Sequence, residues 1–162
     1  MPVSFPPSIV SSPSPQMKLV LDWFDAVNRV DFAALSGFVT KDYSQTLYPE
    51  SLHRLPKEVT AGHEIGKLYS ELVPKMETFE ITVYDVVEGL NGKIVVHFSG
   101  DVQMSFGYRY LNEYMFTFEV VEQADGSFKL SKVKEFADTK ATVDLLEAAR
   151  KLKGIPLFSD TN

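Results

Sequence analysis

The 162-residue sequence contains no cysteine, so disulfides, thiolate metal centres and cysteine nucleophiles are excluded. Histidine is scarce. His53, His63 and His97 are the three present, and none stands at the i, i+4 spacing of a helical metal site, so no metal is expected. Basic residues are in deficit, 16 Lys and Arg against 22 Asp and Glu for a formal charge of -6. A chain of that sign lacks the clustered cations that nucleic acid or an anionic membrane surface selects. There is no apolar run of signal-peptide or membrane-span length, and the opening MPVSFPPSIVSSPSPQ is broken by proline and has no basic start. These absences leave a soluble protein, cytoplasmic by default.

Hydrophobic residues make up 44% of the chain, enough for one domain with a single core. Residues 1–15 read as a disordered Pro/Ser-rich leader, 16–153 as the domain and 154–162 as a tail. From Gln16, QMKLVLDWFDAVNRV places Leu19, Val20, Trp23, Phe24 and Val27 on one helical face. Asp31 reads as the cap of a second, short helix, FAALSGFV, that buries Leu35, Phe38 and Val39. DYSQTLYPESL holds a short strand stopped by Pro49, HRLPKEV reads as loop, and AGHEIGKLYSELV reads as a third helix ending before Pro74. The second half is strand-like. TFEITVYDVVE and KIVVHFSGDVQMSF flank an Asn-Gly turn, and YRYLNEYMFTFEVV and FKLSKVKEFA flank the longer loop EQADGS. TKATVDLLEAARKLKG closes the chain as a helix with Val143, Leu146 and Ala149 inward and Asp138 as its cap. The order predicts an α+β fold, a cone-shaped barrel in which a curved antiparallel sheet wraps around the N-terminal helices.

One residue interrupts the pattern. In SKVKEFAD, period-two alternation puts Val133, Glu135 and Ala137 on one face, apolar except for the carboxylate. In YLNEYMFTFEV the same alternation gathers Tyr110, Asn112, Tyr114, Phe116 and Phe118. Because the hairpin turn lies at ADGS, the ends near Asn112 to Tyr114 and near Glu135 can be neighbours. A carboxylate beside a phenol and an amide on an apolar surface would have its pKa raised and could act as a base near neutral pH. The plainer reading of Glu135 is a strand-end charge bonded to Lys132, Lys134 or a backbone amide. Glu113 faces away from Tyr114 as an exposed charge, and alternation alone leaves open which face of its strand carries His97 inward.

Several segments resemble the nuclear-transport-factor-2-like superfamily. WFDAVNRVDFAALSGFVTKDY is similar to its opening helix, Asn-x-x-Asp turn and short helix, and NEYMFTFEVVEQADGSFKLSKVKEFADT is similar to the closing hairpin of its SnoaL-like polyketide cyclase branch. LPKEV, VVEGLNGKIVVHFSG and NEYMF further resemble a group of small fungal SnoaL-like proteins of unassigned chemistry. The resemblance implies a conical fold with a blind apolar pocket, no cofactor, a hydrophobic small-molecule ligand and a homodimer formed through the outer face of the sheet. Carried over from ketosteroid isomerases, the first-helix Tyr falls on Trp23, the first-strand base near Leu47 and the protonated Asp near Tyr114, so that literal chemistry is not expected. The last-strand acid of the SnoaL-like cyclases falls on Glu135, although NEYMFTFEVV lacks their partner His. Glu135, Tyr114 and Asn112 are thus the candidate catalytic residues. Trp23, Tyr48, His53, Tyr69, His97, Tyr110 and Phe116 are the candidate substrate contacts. The implied activity is a cofactor-independent isomerase, cyclase or dehydratase; a non-catalytic ligand-binding or assembly module of the same fold is the alternative.

Overall fold

The computed structural model describes residues 3–6, 11–49, 58–60 and 73–153. The expected third helix, with Tyr69, and the loop carrying His53 lie outside these residues. No helix among them is long and apolar enough to cross a membrane.

Helix α1 runs Pro15–Asn28 and begins as its sequence requires, with proline in the first turn and the Ser14 hydroxyl accepting from the Met17 amide. Its buried face, Met17, Val20, Trp23, Phe24 and Val27, lies on the sheet. It ends in a Schellman arrangement. The Val30 and Asp31 amides donate back to the Val27 and Ala26 carbonyls at 2.9 Å each, and Val30 sits at φ 59°, where glycine is usual. Asp31 then caps α2, Phe32–Leu35, by accepting from Ala34. This second helix is shorter than expected. Val39 already opens β1, Val39–Tyr48, and the Phe38 carbonyl accepts from Leu130 of the sheet. The Asn-x-x-Asp turn therefore has a structural explanation: Asn28 accepts from the Ile81 amide, Val30 reverses the chain and Asp31 starts the next helix.

Strands β2 (Glu58–Thr60), β3 (Met76–Glu88), β4 (Lys93–Met104), β5 (Arg109–Glu122) and β6 (Phe128–Ala137) join β1 in one six-stranded sheet, in the order β2-β1-β6-β5-β4-β3. The meander β3 to β6 is antiparallel throughout, as expected. β1 adds to it in parallel, pairing Gln45 with Val133 and Leu47 with Glu135. Residues 58–60, of which 58 and 59 were read as loop, extend the sheet by pairing with Ser44–Thr46. Bulges in β3 near Thr78 and Tyr84, and between Glu119 and Val120, bend the strands, so the sheet curves over α1. The turn between β3 and β4 uses Asn91 and Gly92 at φ 59° and 69°. Any side chain at Gly92 would meet the Val120 carbonyl oxygen, with a Cβ only 2.2 Å from it.

The core is aromatic. Trp23 and Phe24 stand against Phe98, Phe116 and Phe118 with ring centroids 4.8–6.1 Å apart, in tilted or edge-on contacts. A smaller cluster of Val102, Met104, Phe106 and Leu145 closes one end under α3, Thr139–Lys153. Here the phase of the helix differs from the expected one: Thr142 and Leu145 are buried and Val143 is exposed. The phase is set at the cap, where the Asp138 side chain accepts from Lys140 and the Asn112 amide grips the Asp138 backbone. The leader also departs from expectation. Ser4 pairs with β3 through bonds to Ile81 and Val83, and Val3 and Phe5 pack on the core.

Candidate active site

Glu135 faces the inside of the sheet. Its register partner on β5 is the buried Phe116, and its partner on β1 is Leu47. The position where a ketosteroid isomerase base was expected thus carries an apolar residue, and the neighbouring strand supplies a carboxyl at the same level. Glu135 Oε2 accepts from Gln45 Nε2 at 2.7 Å, and Gln45 Oε1 accepts from the Tyr43 hydroxyl at 3.0 Å. Tyr43 and Gln45 are almost completely buried. The Glu135 side chain keeps partial accessibility. Even so, burial among apolar neighbours pushes it up from 4.5 to about 7, and the Gln45 hydrogen bond only partly opposes the rise.

A second polar group lies further along β5. Tyr114 donates to the Tyr110 hydroxyl at 3.3 Å, and Asn112 Nδ2 donates to the same oxygen at 2.5 Å. Burial raises the Tyr110 phenol above its ordinary range, its hydrogen bonds to Thr142, Tyr114 and Asn112 oppose this, and the nearby Glu135 charge adds a smaller rise. Tyr114 stacks on Phe98 at 4.9 Å. Gly100, the register partner of Asn112, leaves room for these rings: a Cβ there would lie 2.8 Å from Phe79 and 3.4 Å from Tyr114.

The structure brings Glu135, Phe116, Tyr110 and Tyr114 to one face of β5 and β6. It gives Asn112 a different task from the one expected. Both ends of its buried amide are engaged, Oδ1 accepting from the Asp138 amide at 3.0 Å and Nδ2 donating to Thr142 Oγ1 at 3.1 Å and to the Asp138 carbonyl at 3.3 Å. It clamps α3 to the sheet and has no donor to spare for a substrate oxygen. Trp23 is core, 3% exposed, with its ring edge-on to Phe24 and Phe118. His97 and Tyr48 are on the wrong face. Buried Ile94, Val96 and Phe98 point inward, so His97 points out, where it meets Glu113 at 2.6 Å and the Tyr84 ring at 5.1 Å. By the same alternation from buried Tyr43 and Gln45, Tyr48 lies outside beside its partner Phe136. Among the described residues no group of acids and histidines could hold a metal ion. Gln45 and Tyr43 were missed by the sequence reading. The available signal was the one that marked Glu135, a polar residue on an otherwise apolar alternation, here Tyr43, Gln45 and Leu47.

No protein-family model and no curated protein matches the sequence. Solved structures do match. BvnE pinacolase from Penicillium brevicompactum is 21% identical, with 85% of this chain and 95% of that one covered at a TM-score of 0.71. PrhC from Penicillium brasilianum is 14% identical over 85% of this chain and 89% of that one, at 0.72. An ntf2-like protein of unknown function from Burkholderia pseudomallei is 16% identical over 82% and 97%, at 0.66. The chain has the ntf2-like fold. At these identities the likeness concerns the fold and leaves the chemistry to the residues of the site.

Proposed function

We propose that the protein is an acid/base enzyme that works without a cofactor on a hydrophobic small molecule, with Glu135 carrying the proton. The observation that supports this is a carboxyl on an inner face that is otherwise largely apolar among the described residues, pushed up to about 7 and held by a buried amide. A group that titrates near neutrality can take a proton from one substrate atom and return it to another, so no net proton is consumed. Such transfer suits isomerisation, cyclisation or dehydration of polyketide- or terpenoid-like ketones and alcohols. Phe116 and Tyr110 would form the wall beside the acid, with Tyr114 next along β5. That one similar structure is a pinacolase supports small-molecule chemistry in this fold. The test is a panel of such ketones and alcohols offered to the wild type and to Glu135→Gln. Turnover by the wild type that vanishes in a folded Glu135→Gln protein is the expected result; undiminished turnover in the variant refutes the assignment.

The outer face of the sheet supports a second element of the reading. Leu111, Met115, Phe136 and Tyr84 are 54%, 46%, 53% and 50% exposed there, and Met115 stands in register between His97 and Phe136. An apolar stripe crossing neighbouring strands is suited to a second copy of the same sheet, and we assign it to a homodimer. The same face favours the non-catalytic alternative, an assembly module. Light scattering should give twice the chain mass at micromolar concentration and half that value for Met115→Lys; a monomeric wild type removes the dimer.

A further inference from the structure

We propose that Gln45 is the positioning residue of Glu135, oriented by Tyr43 so that one carboxylate oxygen is held and the other is left to exchange the proton. This rests on the acid/base reading of Glu135 but can be tested apart from it. A primary amide presents an acceptor at one end and donors at the other, and the two ends have nearly the same shape. What decides its orientation is therefore its partners. The Tyr43 hydroxyl, on the same face of β1 two residues earlier, donates to Oε1 at 3.0 Å. That leaves Nε2 turned towards Glu135, where it donates to Oε2 at 2.7 Å. The parallel register sets this reach, since Gln45 is level with Val133, one inward-facing step before Glu135. A leucine at position 45 would fill such a site at no desolvation cost, whereas a buried amide is unfavourable unless both of its ends are bonded. The arrangement of Tyr43, Gln45 and Glu135 meets that condition.

The consequence concerns which oxygen does the chemistry. Oε2 is occupied, and among the described residues none bonds Oε1. In the ionised form Oε2 accepts a charge-assisted bond from Gln45; in the protonated form, with the proton on Oε1, Oε2 still accepts as a carbonyl. Gln45 thus stays bonded in both states and directs the proton to Oε1. Because its bond is stronger to the ionised form, Gln45 also keeps that form within reach in a site that otherwise disfavours it. The other titratable groups on this face are Tyr110 and Tyr114 from β5 and Tyr43 from β1, and among the described residues no cation contributes to the Glu135 environment.

The experiment is a carboxyl titration followed by NMR on the full chain labelled with carbon-13 at glutamate, with the Glu135 resonance assigned by its loss in Glu135→Gln. It is repeated in Gln45→Met, which keeps length and volume but has no donor, and in Tyr43→Phe, which removes only the hydroxyl. In Gln45→Met the Glu135 midpoint should rise by about one pH unit or more, roughly a tenfold gain in proton affinity, as the loss of a hydrogen bond to a charged group implies. Tyr43→Phe should raise it less. An unchanged or lower midpoint in Gln45→Met overturns the positioning role. Should that variant fail to fold, the direction in Tyr43→Phe decides, and no rise overturns the proposal. A parent midpoint in the ordinary glutamate range would instead remove the acid/base reading, while the difference between parent and Gln45→Met would still decide what Gln45 does.

Discussion

Glu135→Gln also has a consequence for stability that needs no substrate. The unfolded carboxyl titrates near 4.5 and the folded one at about 7. Below the first value both states are protonated and the side chain contributes nothing to pH dependence. As pH rises from there the unfolded state ionises first, so the unfolded state gains and the protein loses stability until the folded group ionises as well; above about 7 the loss is constant. At about 1.4 kcal/mol for each tenfold in proton affinity, the full displacement corresponds to roughly 3 kcal/mol. A side chain that keeps some contact with solvent belongs at the lower end, so about 2 kcal/mol is the expected penalty in the wild type at pH 8. Glutamine keeps the shape, still accepts from Gln45 and does not titrate. The variant should exceed the wild type only slightly at pH 5, where about a quarter of the loss has accrued, and clearly at pH 8, by roughly 4–8 °C in thermal midpoint for a domain of this size. Thermal unfolding followed by circular dichroism at the two pH values measures it. A variant that loses ground at pH 8 relative to pH 5 would mean that ionised Glu135 stabilises the fold, as a surface ion pair would, and the reasoning would be refuted.

Further outcomes concern the scaffold that holds the site. Asn112→Ala removes the clamp between β5 and the start of α3, its bonds to the Asp138 backbone and to Thr142, and leaves the Asp138 amide only the Glu113 carbonyl; urea denaturation should show a loss of roughly 2 kcal/mol, and a loss below about 0.5 kcal/mol would show that the clamp carries little. Val30→Gly should gain roughly 1 kcal/mol, because a β-branched residue at φ 59° is replaced by one that adopts this backbone without strain, and a less stable variant would mean that the Val30 side chain packs better than its backbone costs. Deleting residues 1–6 removes the Ser4 bonds to β3 and the contacts of Val3 and Phe5, so calorimetry should record a thermal midpoint lower by several degrees, about 2 kcal/mol; an unchanged midpoint would restore the compositional reading of a leader that contributes nothing.

Much of the fold was legible because local physics carried it. The period of α1 gave its buried face, Asp31 and Asp138 announced the helices they cap, and the alternation along β5 placed Tyr110 to Phe118 on one side. Glu135 stood out for the same reason, as the one carboxylate in an apolar period-two pattern. These are properties of residues within a few positions of one another, and short-range geometry suffices to read them.

Three features depended on distant partners. The inward face of β4 was open in the sequence, since Val95, His97 and Ser99 alternate with equally strand-like neighbours; only α1 packing on Ile94, Val96 and Phe98 sends His97 outward to Glu113. Asn112 looked like a donor for chemistry until the start of α3 was found to occupy its amide. Gln45 drew no attention because its role needs β1 to lie parallel to β6, 90 residues away, in the register that puts Nε2 beside Oε2. Alternation determines which side chains share a face of a strand. Which face meets the core, and which strand lies next to it at which level, is decided by the packing energy of the assembled sheet, which no local stretch of sequence contains.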